Sequence, residues 1–180
     1  MRDSYKTTIC GVTASIALML MLLTYINPFL TYTCPVFAGV LLAVIMQEVG
    51  NGWALGTYAS IGLLSLFLLS DKEAAVFFVA FFGYYPMLRA LLKRKIKPKF
   101  IRYILELIIF NASLIASTLI SMYVFNVDYN EVGDFGKASM ISTLVMMNII
   151  FVLYDFMLSK FILAYQLTWQ KKLRKIFQKK

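Results

Sequence analysis

Four stretches of this 180-residue chain, residues 7–47, 49–70, 107–127 and 138–154, carry no charged side chain. A helix needs about 20 apolar residues, at 1.5 Å each, to cross a hydrocarbon core of about 30 Å. Each stretch exceeds or approaches that length, and the first is long enough to cross twice. Hydrophobic residues make up 61% of the chain and charged residues 15%. A soluble domain sits nearer about 45–50% and about 25%. A soluble enzyme, a disordered tail and a nucleic-acid-binding domain are therefore excluded. The expected fold is all-α: a polytopic integral membrane protein, one compact bundle of transmembrane helices.

Charges and turn residues divide the chain into six spans, about 8–27, 31–48, 52–70, 74–92, 102–125 and 138–160. Asn27-Pro28 closes the first, Gly50-Asn51-Gly52 turns into the third, and Asp71, Lys72 and Glu73 precede the fourth. Asn126–Lys137 is the longest linker, and residues 161–180 form a basic tail. Short loops rich in lysine and arginine stay in the cytoplasm. Arg2 and Lys6, then seven cations from Arg89 to Arg102, then six from Lys171 to Lys180, account for 15 of the 18 basic residues. Lys72 and Lys137 fall on the other side. An even number of spans with both termini inside satisfies this partition. The first span is too long for the apolar core of a typical signal peptide and lacks a small-x-small cleavage site after Leu23, so it reads as a retained helix.

The net charge of +9 lies in these loops and in the tail. There Trp169, Leu173, Ile176 and Phe177 recur at helical spacing between cations. A helix of this pattern rests on the inner membrane surface; docking to a cytoplasmic protein is the other reading, and nucleic acid is not an expected partner.

Catalytic chemistry is poorly supplied. The chain has no histidine, the commonest proton shuttle and metal ligand. Cys10 and Cys34 alone cannot hold zinc, and they stand near the starts of the first and second spans, on opposite sides of the membrane, so no disulfide is expected between them. No G-x-S-x-G or Walker-type loop is present. The expectation is a non-enzyme with no cofactor and no metal.

Polar side chains within spans are expensive and need reasons. Glu106 stands four residues after Arg102, the spacing of an intrahelical pair. Asp155 needs a partner on another helix or subunit, and a structural bond and a functional contact stand equally. Asn111 suits helix stitching, whereas Asn148 suits the wall of a cavity. Gly52, Gly56 and Ser60 recur every four residues, a stripe that lets another helix pack closely, and Gly11, Ala14, Ser15 and Ala17 make a weaker one. In the fourth span, Pro86 follows Phe81, Phe82, Gly83, Tyr84 and Tyr85. Proline frees a carbonyl about one turn earlier, which a neighbouring group must satisfy.

The length, six spans, basic turn before the fifth helix, Pro28–Pro35 first loop, small-residue first helix and short Ser70–Glu73 loop resemble the S components of energy-coupling factor transporters. The resemblance implies a substrate-binding subunit in the bacterial cell membrane, working with a transmembrane coupling subunit and cytoplasmic ATPase subunits. It also implies a small vitamin-like ligand toward the outer side, among the later helices and beneath the first and third loops. On that basis Asn27, Tyr32, Phe81, Tyr84, Ser121 and Asn148 are the candidate substrate-binding residues. The family's coupling surface uses the first helices, often through Ala-x-x-x-Ala. Here Ala14 and Ala17 stand three apart, and Gly11, Ala14, Ala17 and Asp155 are the candidate partner interface. The alternative is a non-transporting membrane scaffold, such as a rod-shape-determining subunit; a lipid-handling enzyme is a third reading.

Overall fold

The computed structural model describes residues 3–27, 30–125 and 136–169. Residues 126–135 of the expected linker, Pro28, and the tail beyond residue 169 lie outside the described residues. All seven α-helices follow in sequence without a strand among the described residues: α1 Asp3–Leu22, α2 Leu30–Glu48, α3 Asn51–Leu68, α4 Lys72–Phe77, α5 Tyr85–Lys95, α6 Lys99–Phe125 and α7 Gly136–Ala164. Wider π-helical turns at Phe78–Phe82 and Tyr165–Trp169 join α4 to α5 and extend α7. Five helical runs are long and apolar enough to cross a membrane: Asp3–Tyr25, Leu30–Glu48, Lys72–Lys95, Lys99–Ser121 and Leu144–Thr168. The remaining long helix, α3, is not among them; Asn51, Gly52, Trp53, Gly56, Thr57, Tyr58 and Ser60 make its first part small and polar and its second part is strongly apolar.

Local chemistry sets the helix ends. The first helix begins at Asp3, ahead of the expected residue 8. Asp3 complements the positive end of the helix dipole, and its carboxylate accepts from Lys6 at 2.8 Å. Gly50 makes the turn from α2 to α3 at φ 101°, a left-handed conformation that a side chain would strain. Asp71 caps α4 by accepting from the Ala74 N–H at 3.1 Å.

Three hydrogen bonds and one close contact fasten the fourth span. Pro86 has no N–H to offer the Phe82 carbonyl one turn back. Tyr154 Oη of α7 points its donor there, at 3.4 Å. The Gly83 N–H reaches five residues back to Phe78 at 2.8 Å, and the Val79 carbonyl accepts from Tyr58 Oη of α3 at 2.7 Å. Gly39 of α2 lies against the same turn so closely that a Cβ there would collide with the Phe82 carbonyl. The expected freed carbonyl is thus Phe82, and it sits where three helices meet.

The core follows from this arrangement. One apolar cluster packs α1, α2, α3 and α4 through Ala17, Met21, Leu42, Ile61, Ala75 and Phe78. A second packs α2 and the fourth span against α6 and α7 through Ala43, Phe81, Tyr85, Phe110, Phe151 and Tyr154. Lys72–Lys95 is the innermost span, with 61% of its apolar window buried against 28% for α1. At one end of the bundle Thr31 donates to Asp71 at 2.7 Å and Tyr32 to Glu73 at 3.0 Å. At the other, Lys6 lies 5.8 Å from the Trp53 ring centroid, Tyr165 donates to Glu48 at 2.9 Å and Gln166 to Gln47 at 2.9 Å. The start of α1, the α2–α3 turn and the end of the last helix therefore share one end.

Gly39→Ala should lower stability by about 1–3 kcal/mol, the usual cost of forcing atoms into a filled core. Gly56→Ala, where a Cβ meets nothing within 4 Å, should leave stability unchanged or raise it. Thermal unfolding of both variants in mild detergent checks the contrast.

Candidate functional site

Three places concentrate chemistry: the aromatic middle of the later helices, a polar cluster at the basic end, and a groove between α1 and α3. The first contains most of the residues expected to bind substrate, and it is filled. Phe81 is 2% exposed, and its ring meets those of Phe82, Tyr84, Tyr85, Phe110 and Phe151 at centroid distances of 4.7–6.1 Å. Tyr84 shares a hydrogen bond with Ser113 at 3.0 Å. Asn148 and Asn111 pair amide to amide at 3.0 and 3.1 Å and donate their remaining hydrogens to Leu144 and Leu107. All four amide hydrogens are used, so Asn148 takes part in the stitching expected for Asn111. Tyr32 is tied to Glu73 and packs on Phe77, and the Asn27 carbonyl accepts from Leu30. Ser121 is buried, its hydroxyl without a hydrogen-bond partner among the described residues. Phe81 and Tyr84 come together; Asn27 and Tyr32 belong to the connections at the acidic end instead.

The polar cluster belongs to Asp155. Its carboxylate accepts from Tyr85 Oη at 2.6 Å and from Arg89 Nη2 at 3.0 Å, with Arg89 Nε 2.5 Å away. Arg89 Nη2 also donates to Ser159 at 2.6 Å. Asp155 thus finds its partner on another helix of the same chain, and both carboxylate oxygens are engaged there. Glu106, 2% exposed, lies 3.8 Å from Arg102, the expected pair at four-residue spacing but a loose one. Arg89 is the residue that cation counting obscures: it is 6% exposed and sits inside the bundle, not in the basic turn. A signal for it was present. Tyr85 and Arg89 are four apart on one helix, Asp155 and Ser159 four apart on another, so each pair presents one face.

The groove measures about 630 Å³ and is lined by Thr7, Cys10, Gly11 and Ala14 of α1 and by Gly52, Trp53, Gly56, Thr57 and Ser60 of α3. Added Cβ atoms at Gly11, Gly52 or Gly56 would meet nothing within 4 Å. The stripe expected to pack closely is open among the described residues: Gly52, Gly56 and Ser60 are exposed. The groove's hydroxyls are spent internally, Thr7 on Asp3, Thr57 on Trp53 and Ser60 on Gly56, at 2.9–3.1 Å. Of the other residues expected at a partner interface, Gly11 and Ala14 line this groove, whereas Ala17 is fully buried in the core.

No protein family matches this chain, and neither a curated protein nor a solved structure matches it. The resemblance to S components accordingly rests on length and helix arrangement.

Removing one partner of the Arg89–Asp155 pair strands a buried charge, a loss of about 3–5 kcal/mol. Arg89→Leu and Asp155→Leu should each destabilise the protein by about that much. The double variant should recover most of it, and chemical unfolding in detergent measures the difference.

Proposed function

We propose that this chain is a non-catalytic membrane assembly subunit that binds a transmembrane helix of a partner protein in the α1/α3 groove. In this reading it crosses the membrane six times with both termini in the cytoplasm. The observation that carries it is the open, small-residue lining of the groove. Lipid tails are as apolar as side chains, so helices associate in membranes by close packing and not by hydrophobic exclusion. Gly11, Gly52 and Gly56 permit backbone-to-backbone approach, and they are free to accept it. Because the neighbouring hydroxyls already bond to their own helix, the groove offers shape and few polar contacts. That suits a helix better than a polar small molecule.

The six-span topology draws support from the two ends of the bundle. The Thr31–Asp71 bond and the Lys6–Trp53 contact stand at opposite ends of α3, which therefore runs the same height as α1 and α2. The concentration of 15 of 18 cations beside one set of ends favours the cytoplasm there.

A second reading, the substrate-binding subunit of an energy-coupling factor transporter, is favoured by one observation. Gly11 and Ala14, on the helix that the resemblance assigns to coupling, line the groove. That reading further requires an outer ligand site, and Phe81 and Asn148 are occupied by contacts within the chain.

A photoreactive benzoyl-phenylalanine at position 56 tests the proposal in native membranes. It should crosslink to a second membrane protein, and Gly11→Leu, which fills the groove without a clash, should abolish the adduct while leaving thermal unfolding unchanged. Adducts with lipid alone would contradict the proposal. A coupling protein with attached ATPases as the partner would select the transporter reading.

A further inference from the structure

A second cavity, of about 320 Å³, opens where the ends of α2, α5 and α7 converge. Its polar wall is Gln47, Arg89, Lys93, Ser159 and Gln166. Its apolar wall includes Met46, Ile162 and Leu163. The polar wall is rich in donors. Arg89 Nη2 donates to Asp155 and Ser159 and Nε lies against the Asp155 carboxylate, but among the described residues neither Nε nor Nη1 has a hydrogen-bond partner, and the residue is only 6% exposed. Gln166 donates to the Gln47 carbonyl oxygen, which leaves the Gln47 amide nitrogen as a donor. Lys93 adds an ammonium at the exposed rim.

Nearby acids do not fill this demand. Asp155 is already paired with Arg89, Glu106 faces Arg102, and Glu48, next to Gln47 in the chain, accepts from Tyr165. A buried guanidinium arm without an acceptor is a costly arrangement unless an anion completes it.

We propose that this cavity binds a phosphate-bearing anion, held by Arg89 Nη1, Lys93 and Gln47. The phosphate has two possible sources, an anionic lipid headgroup and the free ion. The apolar wall fits an acyl chain beside the headgroup, and basic pockets at helix ends are where anionic lipids dock. The site is independent of the groove on the opposite helices, so its failure leaves the assembly reading standing.

The test is thermal unfolding of the delipidated full chain in detergent, with phosphatidylglycerol, phosphatidylcholine or inorganic phosphate added. Phosphatidylglycerol should raise the unfolding temperature and phosphatidylcholine should not. Lys93→Gln, alone and combined with Gln47→Leu, should weaken the apparent affinity about tenfold or more, without changing unfolding in the absence of lipid. A matching shift with millimolar inorganic phosphate would identify the free ion as the source. Equal shifts from both lipids, no shift from either lipid or phosphate, or a full phosphatidylglycerol effect in the double variant would overturn the site.

Discussion

Pro86 has no hydrogen to give the Phe82 carbonyl, and in the centre of a bilayer no water can replace it. Much of the bundle is arranged around that deficit. The chain widens into a π-helical turn, α3 and α7 send Tyr58 and Tyr154 to the Val79 and Phe82 carbonyls, and α2 presses Gly39 against the turn. Gly83 is needed for the same reason: a Cβ there would lie 2.5 Å from the Tyr58 ring. A single missing donor thereby fixes the positions of three helices around the fourth span. It also places Tyr85 and Arg89, on either side of the proline, opposite Asp155 and Ser159.

Rigidity and openness are unevenly distributed as a result. Around Phe81 the aromatic rings leave little for a ligand to contact, and the paired amides of Asn111 and Asn148 clamp α6 to α7. The opposite flank, between α1 and α3, is open and lined mainly with glycine, alanine and short hydroxyl side chains. In a membrane, packing between helices is the available source of association energy. The closed side holds the fold, and the open side is where a partner can be held.

Five of the expected spans were legible because the hydrocarbon core permits few charges, and long uncharged runs record that constraint directly. The consequence of Pro86 was legible too, since a missing donor follows from the residue itself. Which face of each helix turns inward was not. In water an apolar stripe marks the core, but lipid is as apolar as the interior, so Phe67, Phe100 and Phe156 face out while Phe78, Phe110 and Phe151 face in, with nothing in composition to part them. The same ambiguity made Phe81 and Asn148 resemble cavity walls. Gly52, Gly56 and Ser60 were correctly grouped on one face by their spacing, but spacing does not say what that face meets. Arg89 was hidden by its neighbours: six further cations follow it, and only the matched four-residue spacings with Tyr85 and Asp155–Ser159 single it out.

The central claim is that α3, the one long helix outside the five apolar runs, crosses the membrane with the rest. A groove facing lipid, cations gathered on one face and an anion site at the headgroup level all depend on it. If α3 lay along the surface instead, the number of crossings would be odd and the termini would part. Paired compartment reporters, one at each terminus and one inserted after Ser70, measure this directly. The account predicts both termini in the cytoplasm and residue 70 outside; termini on opposite sides of the membrane would contradict it.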